Sequence, residues 1–196
     1  MLKEVGDVTI SPEPYTVRER DRRASLQELK LADLPHNDAA DEEADYLSQI
    51  IRRQTNFQVD TLEIIDTGLS ELLSNVVTHS GKNQAILVAQ TYQNDIRIAI
   101  GDSGVGIPFR LRPYQGQLKD DKTLISESLL PMVSSLGGGM GLTELKASIT
   151  RDKLWRHGVL MIRSNAGWIW TGGEETIERD TAYIVPGTYV NILLKR

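Results

Sequence analysis

The chain has 196 residues, 40% of them hydrophobic and 25% charged, enough for one domain with a sizeable core. Acidic side chains outnumber basic ones, 27 against 22, and the net charge of -5 disfavours nucleic acid and anionic lipid as partners. The absence of cysteine excludes disulfides, thiolate catalysis and cysteine zinc sites. The start, Met1-Leu-Lys-Glu, lacks the apolar stretch of a signal peptide, and the longest apolar run, Ala85 to Ala89, is too short to span a bilayer. A soluble cytoplasmic protein without membrane insertion is expected.

In chain order, Glu4 to Ile10 is a candidate edge strand, Ser11-Pro-Glu-Pro14 a turn and Arg18 to Arg23 a solvated charge run. Residues 1–36 therefore read as an N-terminal extension with a candidate edge strand and arm, ahead of a domain over 37–196. Asp41, Glu42 and Glu43 early in the next segment, and Arg52 and Arg53 late in it, match the helix dipole and predict a helix over 38–54. Asp60 and Glu63 resemble a capping box, and Leu62, Ile65, Leu69, Leu72 and Val76 recur at helical spacing until Gly81 stops the helix.

Two strands follow, Gln84 to Tyr92 and Ile96 to Gly101, the second alternating Ile96, Ile98 and Ile100 with Arg97 and Ala99 as a half-buried hairpin strand does. Ile107 to Leu136 shows no sustained period and reads as a long functional loop, a lid, with a short helix over Leu124 to Met132 inside it. A helix from Gly141 to Lys153 turns Leu142, Leu145 and Ile149 inward. The end reads as strands at Val159 to Ser164, Trp168 to Trp170, Ala182 to Ile184 and Tyr189 to Lys195, with a turn at Pro186-Gly-Thr188 and an extended hairpin at Gly172-Gly-Glu-Glu175. Trp168 and Trp170 share one strand face, either as core or as a partner-binding patch. Consecutive strands without intervening helices require antiparallel pairing, so the expected class is α/β: a two-layer sandwich with a mixed, mostly antiparallel sheet and helices on one face.

Three clusters carry candidate chemistry. Glu71, Asn75 and His79 lie at i, i+4 and i+8, one polar column on the second helix. A carboxylate there can accept a proton or orient water, and an amide oxygen one turn on can hold magnesium; a plain polar helix face fits equally. Asp102-Ser-Gly-Val-Gly106 puts an acid at a strand end, able to accept from the exocyclic amine of adenine, with Gly104 and Gly106 admitting a ring close to the backbone; a plain turn also fits. Gly137, Gly139 and Gly141 alternate before a helix, where free N–H groups can wrap a phosphate or the glycines can serve as a hinge. Neither the phosphate-loop pattern nor the dinucleotide fingerprint is met.

In this order, with these elements between them, the clusters resemble the N box and the first and second glycine boxes of the gyrase, heat-shock chaperone, histidine kinase and mismatch-repair superfamily. Its ATP-binding domain is the Bergerat fold. The resemblance covers about Asp41 to Arg196 and puts the superfamily's ATP lid at 107–137. It implies that Glu71 is the catalytic or water-orienting carboxylate, Asn75 the magnesium ligand and Asp102 the adenine-binding acid. It makes Gly104 and Gly106 the floor under the base, and Gly139, Gly141 and Leu142 the phosphate-side turn. His79, Ile107, Gly137, Met140 and Thr188 complete the implied nucleotide-contacting set.

The N box, Glu71-Leu-Leu-Ser-Asn-Val-Val-Thr-His-Ser80, is most similar to those of anti-sigma-factor serine kinases and histidine kinase ATPase domains. The lysine that follows the N box in histidine kinases is replaced by Thr78, with Arg110 and Arg112 as candidate substitutes. His36 and His157 read as surface histidines, not as phosphoacceptors, so an acceptor would lie on another protein. The expected function is an ATP- and magnesium-binding signalling protein that phosphorylates a regulatory partner on serine, threonine or histidine. The alternative is an ATP-dependent switch or slow ATPase that regulates a partner without phosphorylating it. A homodimer is left open.

Overall fold

A computed structural model describes residues 9–10, 16–19, 26–54, 59–91, 95–115, 117–131, 133, 141–151 and 157–195. Among them, seven strands form one sheet in the order β1-β2-β3-β4-β5-β7-β6: β1 (Thr9–Ile10), β2 (Thr16–Glu19), β3 (Leu26–Asp33), β4 (Gln84–Thr91), β5 (Asp95–Asp102), β6 (His157–Gly172) and β7 (Glu175–Lys195). Every pairing is antiparallel. The helices are α1 (Asn37–Gln54), α2 (Val59–Asn75), α3 (Ile107–Gln115), α4 (Asp121–Ser128) and α5 (Gly141–Arg151). The molecule is thus an α/β two-layer sandwich.

Alternation along the strands builds the core. Leu87 and Ala89 of β4, Ile96, Ile98 and Ile100 of β5, and Leu160 and Ile162 of β6 are buried on one face. Against them pack Leu47 and Ile51 of α1, the α2 stripe Leu62, Ile65, Leu69, Leu72 and Val76, and Leu145 and Ile149 of α5. Gly68 lets α5 close on α2: a Cβ there would press on the Leu145 side chain. Arg52 at the end of α1 pairs with Asp66 of α2.

On the opposite face the registers align Gln90, Arg97, Leu193 and Val159 in one row across β4, β5, β7 and β6, and Val88, Ala99, Asn191 and Met161 in the next. Part of this face is roofed. Between the pairs Ser164–Thr188 and Gly167–Asp180, β6 advances by three residues and β7 by eight, and Asn165 takes a left-handed φ of 53°. The strand with surplus residues takes the longer path, so the hairpin bends sharply there. Its far arm folds back until Gly172 lies against Val159, with the Trp170 ring beside the same glycine.

Several expectations change. The stretch read as a lid loop, 107–137, carries two helices, α3 and α4; the Asp120 side chain caps α4 by accepting from Thr123 N at 3.0 Å, so that helix begins and ends earlier than Leu124 to Met132. The separate strands at Trp168 to Trp170 and Ala182 to Ile184 are parts of β6 and β7, and Pro186-Gly187 is a kink inside β7. Helix α1 begins at Asn37, its first turn holding Asp38 instead of Asp41 to Glu43, and His36 Nδ1 accepts from Ala39 N at 3.2 Å. Within the expected N-terminal extension, where only an edge strand at Glu4 to Ile10 is expected, β3 pairs with β4 along its whole length and is an interior strand of the sheet. Among the described residues no helix is long and apolar enough to cross a membrane.

Candidate functional site

The second helix runs as expected to Gly81, whose left-handed φ of 72° ends it, but its last five residues, Val76–Ser80, wind as a π-helical turn. The α-helical part holds Glu71 and Asn75 one turn apart, and Asn75 Nδ2 donates to Glu71 Oε1 at 3.0 Å. That bond occupies the amide nitrogen and leaves the Asn75 oxygen for a hard cation. The π turn breaks the straight column, so His79 follows a wider helical path than i+8 spacing implies. Burial lowers the His79 pKa, the nearby Arg110 guanidinium lowers it further, and Glu71 opposes both.

Glu71 also meets the third cluster. A Cβ on Gly141, the first residue of α5, would overlap the Glu71 carboxyl group, so glycine is what lets the helix start approach it. Free N–H groups at that start favour negative charge, the side chain's own or a phosphate's. Leu142 packs partly buried on the core. Gly137, Gly139 and Met140 lie outside the described residues.

Asp102 ends β5, 7% exposed, with Oδ1 accepting from Gly104 N at 2.7 Å. Burial raises its pKa, while hydrogen bonds from the backbone of Gly104 and Thr188 pull it down. The loop after it is wedged between three backbones. Val105 N donates to Ser80 O at 2.9 Å, and a Cβ on Gly104 would collide with that same carbonyl. Gly106 has φ 80°, facing Ser164 Oγ and Gly187 O. Ile107 N donates to Ser164 Oγ at 2.9 Å, Ser164 Oγ donates to Gly187 O at 2.8 Å, and Asn165 Nδ2 donates to Val105 O at 3.2 Å. Thr188 pairs with Asp102 in the sheet and shares a 3.2 Å hydroxyl contact with Ser164.

The structure thus brings Glu71, Asn75 and Gly141 into one group and Asp102, Gly104, Gly106, Ile107 and Thr188 into another. The His79–Ser80 end of the π turn touches the second. Ser80, Ser164, Asn165 and Gly187 have no motif in the sequence because they meet the Asp102 loop only through contacts between segments distant in the chain; the turn signal Pro186-Gly187 was the available hint. The two lid arginines separate. Arg110 Nε donates to His79 O at 2.7 Å and faces the site, whereas Arg112 pairs with Asp121 and donates to Lys119 O, knitting α3 to α4.

Among the described residues no three His, Asp or Glu side chains converge as a metal-ligand set. A magnesium ion at Asn75 would take its remaining ligands from phosphate and water, its usual manner of binding. No family model matches the chain, and no curated protein matches it.

Proposed function

We propose that this chain is an ATP- and magnesium-binding signalling protein of the cytoplasm that transfers phosphate to a regulatory protein partner. The observation that carries the reading is the meeting of Glu71, Asn75 and Gly141. A carboxylate, an amide oxygen and a Cβ-less helix start, drawn from two distant clusters, are the groups that a phosphate–magnesium pair requires. The buried acid Asp102, seated in a glycine turn, is suited to hydrogen-bond the amine edge of adenine.

In this reading magnesium, when bound, draws negative charge off the phosphate oxygens. Asn75 offers its oxygen to the metal, and Glu71 orients the acceptor hydroxyl or imidazole and receives its proton as the γ-phosphoryl group passes to it and ADP leaves. The α5 start, against Glu71, and Arg110, beside His79, supply positive potential to the site.

Incubation with γ-labelled ATP and magnesium, with and without cell extract, tests this. Label on a second protein, lost in Glu71→Ala and Asn75→Ala, is expected. Release of free phosphate alone favours the second reading, an ATP-driven switch, and failure to bind ATP at any magnesium concentration overturns both. The switch draws on one observation: α4 is tied to the hairpin arm through Lys122–Asp180 at 3.1 Å, so a partner grasping the arm would pull on the segment beside the site.

A further inference from the structure

The two strands of the hairpin arm differ sharply in burial. On β6, Gly167, Ile169, Thr171 and Gly172 are buried and Trp168 and Trp170 half-buried, whereas every residue of 175–180 in β7 is exposed. β5 runs beside β7 only over 188–195, so among the described residues the outer edge of 175–180 meets no strand. Such an edge offers a row of backbone N–H and C=O groups to any extended chain that reaches it.

The side chains decide which chain that is. Over 173–185 stand Glu174, Glu175, Glu178 and Asp180 against one base, Arg179. Alternation puts Thr176, Glu178 and Asp180 on the face turned to α4, where Ser126 hydrogen-bonds Glu178 and Lys122 Nζ pairs with Asp180 at 3.1 Å. Glu175, Ile177 and Arg179 lie on the other face, opposite Gly172, Trp170 and Trp168 of β6. Glu174 and Glu175 have no ion pair among the described residues. A second copy would bring one acid-rich edge against another, which net repulsion disfavours; a strand carrying lysine or arginine meets the opposite charge instead.

Apolar anchors stand beside this edge. Ile177, Tyr183 and Ile184 are all exposed, yet the backbone under the last two is pinned. The Tyr183 carbonyl accepts from Thr181 Oγ1 at 2.8 Å and from Arg163 Nη2 at 3.2 Å. Large side chains held in water on a fixed backbone lose less order when a partner covers them.

We propose that the open edge of β7 over 175–180 binds an extended segment of another protein as an added strand, one that alternates basic with apolar residues. Tyr183 and Ile184 grip its apolar side chains. That this protein is the regulatory partner rests on the phosphotransfer reading; the strand addition itself needs no nucleotide.

A fluorescent peptide alternating lysine with valine is the probe, titrated into the full chain without ATP, so that failure here leaves the nucleotide test untouched. Saturable binding by anisotropy, with amide hydrogen exchange slowed over 175–180, is expected. Glutamate in place of the peptide's lysines, or methylation of its backbone nitrogens along one edge, should each weaken binding about tenfold or more. Glu175→Lys should weaken it about fivefold and admit the glutamate peptide, and Tyr183→Ala should weaken it to a similar degree. Both variants change exposed side chains, so their folding is not at stake. Equal binding of the glutamate or methylated peptide, wild-type binding by both variants, slowed exchange confined to other segments, self-association through 175–180 or no saturable binding would overturn the proposal.

Discussion

The Asp102 loop, at the end of β5, leans on β6 and β7, and the hairpin arm continues those strands, yet the two are held by different means. The loop is fixed chiefly by backbone: Ser80 O at Gly104, Gly187 O at Gly106 and the Asp102 peptide at Gly187 leave no room for a Cβ, and the side chains of Ser164 and Asn165 add hydrogen bonds. The arm is fixed by side chains. Lys122 pairs with Asp180, Asp121 accepts from Ala166 N at 3.0 Å, and Ser126 hydrogen-bonds Glu178, while Tyr183 and Ile184 stay 78% and 72% exposed. Backbone contacts tolerate no substitution because nothing can swing aside; surface ion pairs are weak and replaceable.

The sharpest way to break this contrast is Gly187→Ala. Its Cβ would overlap the Asp102 carbonyl, and its φ of 89° is unfavourable for any L side chain. A loss of about 3 kcal/mol or more in denaturant unfolding is expected, from overpacking and strain together; a loss under about 1 kcal/mol would show that the loop gives way. Gly141→Ala sharpens the contrast at the other group, because the atoms it meets are the end of a flexible side chain. Glu71 should swing away with a change in stability of less than about 1 kcal/mol, and, on the proposed function, label transfer from ATP should fall about a hundredfold.

Asp102→Asn separates binding from stability. The burial-raised pKa of Asp102 means that its contribution is fully present below the ordinary 3.8 and is lost as pH rises through the folded value, so the ionised form costs stability at neutral pH. Asn keeps the oxygen for Gly104 N without the charge. Melting at pH 7 should hold or rise while ATP affinity falls, and a fall in both would sink the assignment.

His79 runs the other way. Its lowered pKa makes its contribution fully present above the ordinary 6.5 and lost as pH falls through the folded value. His79→Gln should flatten the stability profile of the acid limb below pH 6.5. The smallest effect belongs to the arm: Asp180→Ala should cost about 0.5 kcal/mol or less, fading with added salt.

The periodicities of α2, β4, β5 and α5 were legible because burial on one face stamps a repeat of 3.6 or 2 on the chain. Residues 107–136 were not. Proline and polar residues hide the period there, and α3 and α4 stand through the Asp120 cap, the Arg112–Asp121 pair and packing on β6. The Ile162 and Val190 pairing continues into an arm whose bend arises from unequal residue counts on two strands, a property of register that no single strand encodes.

By itself the sequence determined the class of fold, the amphipathic helices and the order of three polar or glycine-bearing clusters, since each is a local pattern written in side-chain type. Only the tertiary structure decided that Glu71 touches Gly141, that Arg110 and not Arg112 turns toward His79, and that the hairpin arm brings Gly172 back against Val159 on the far face of the sheet. These are contacts between segments distant in the chain, fixed by how the layers pack and by where a missing Cβ lets one backbone approach another.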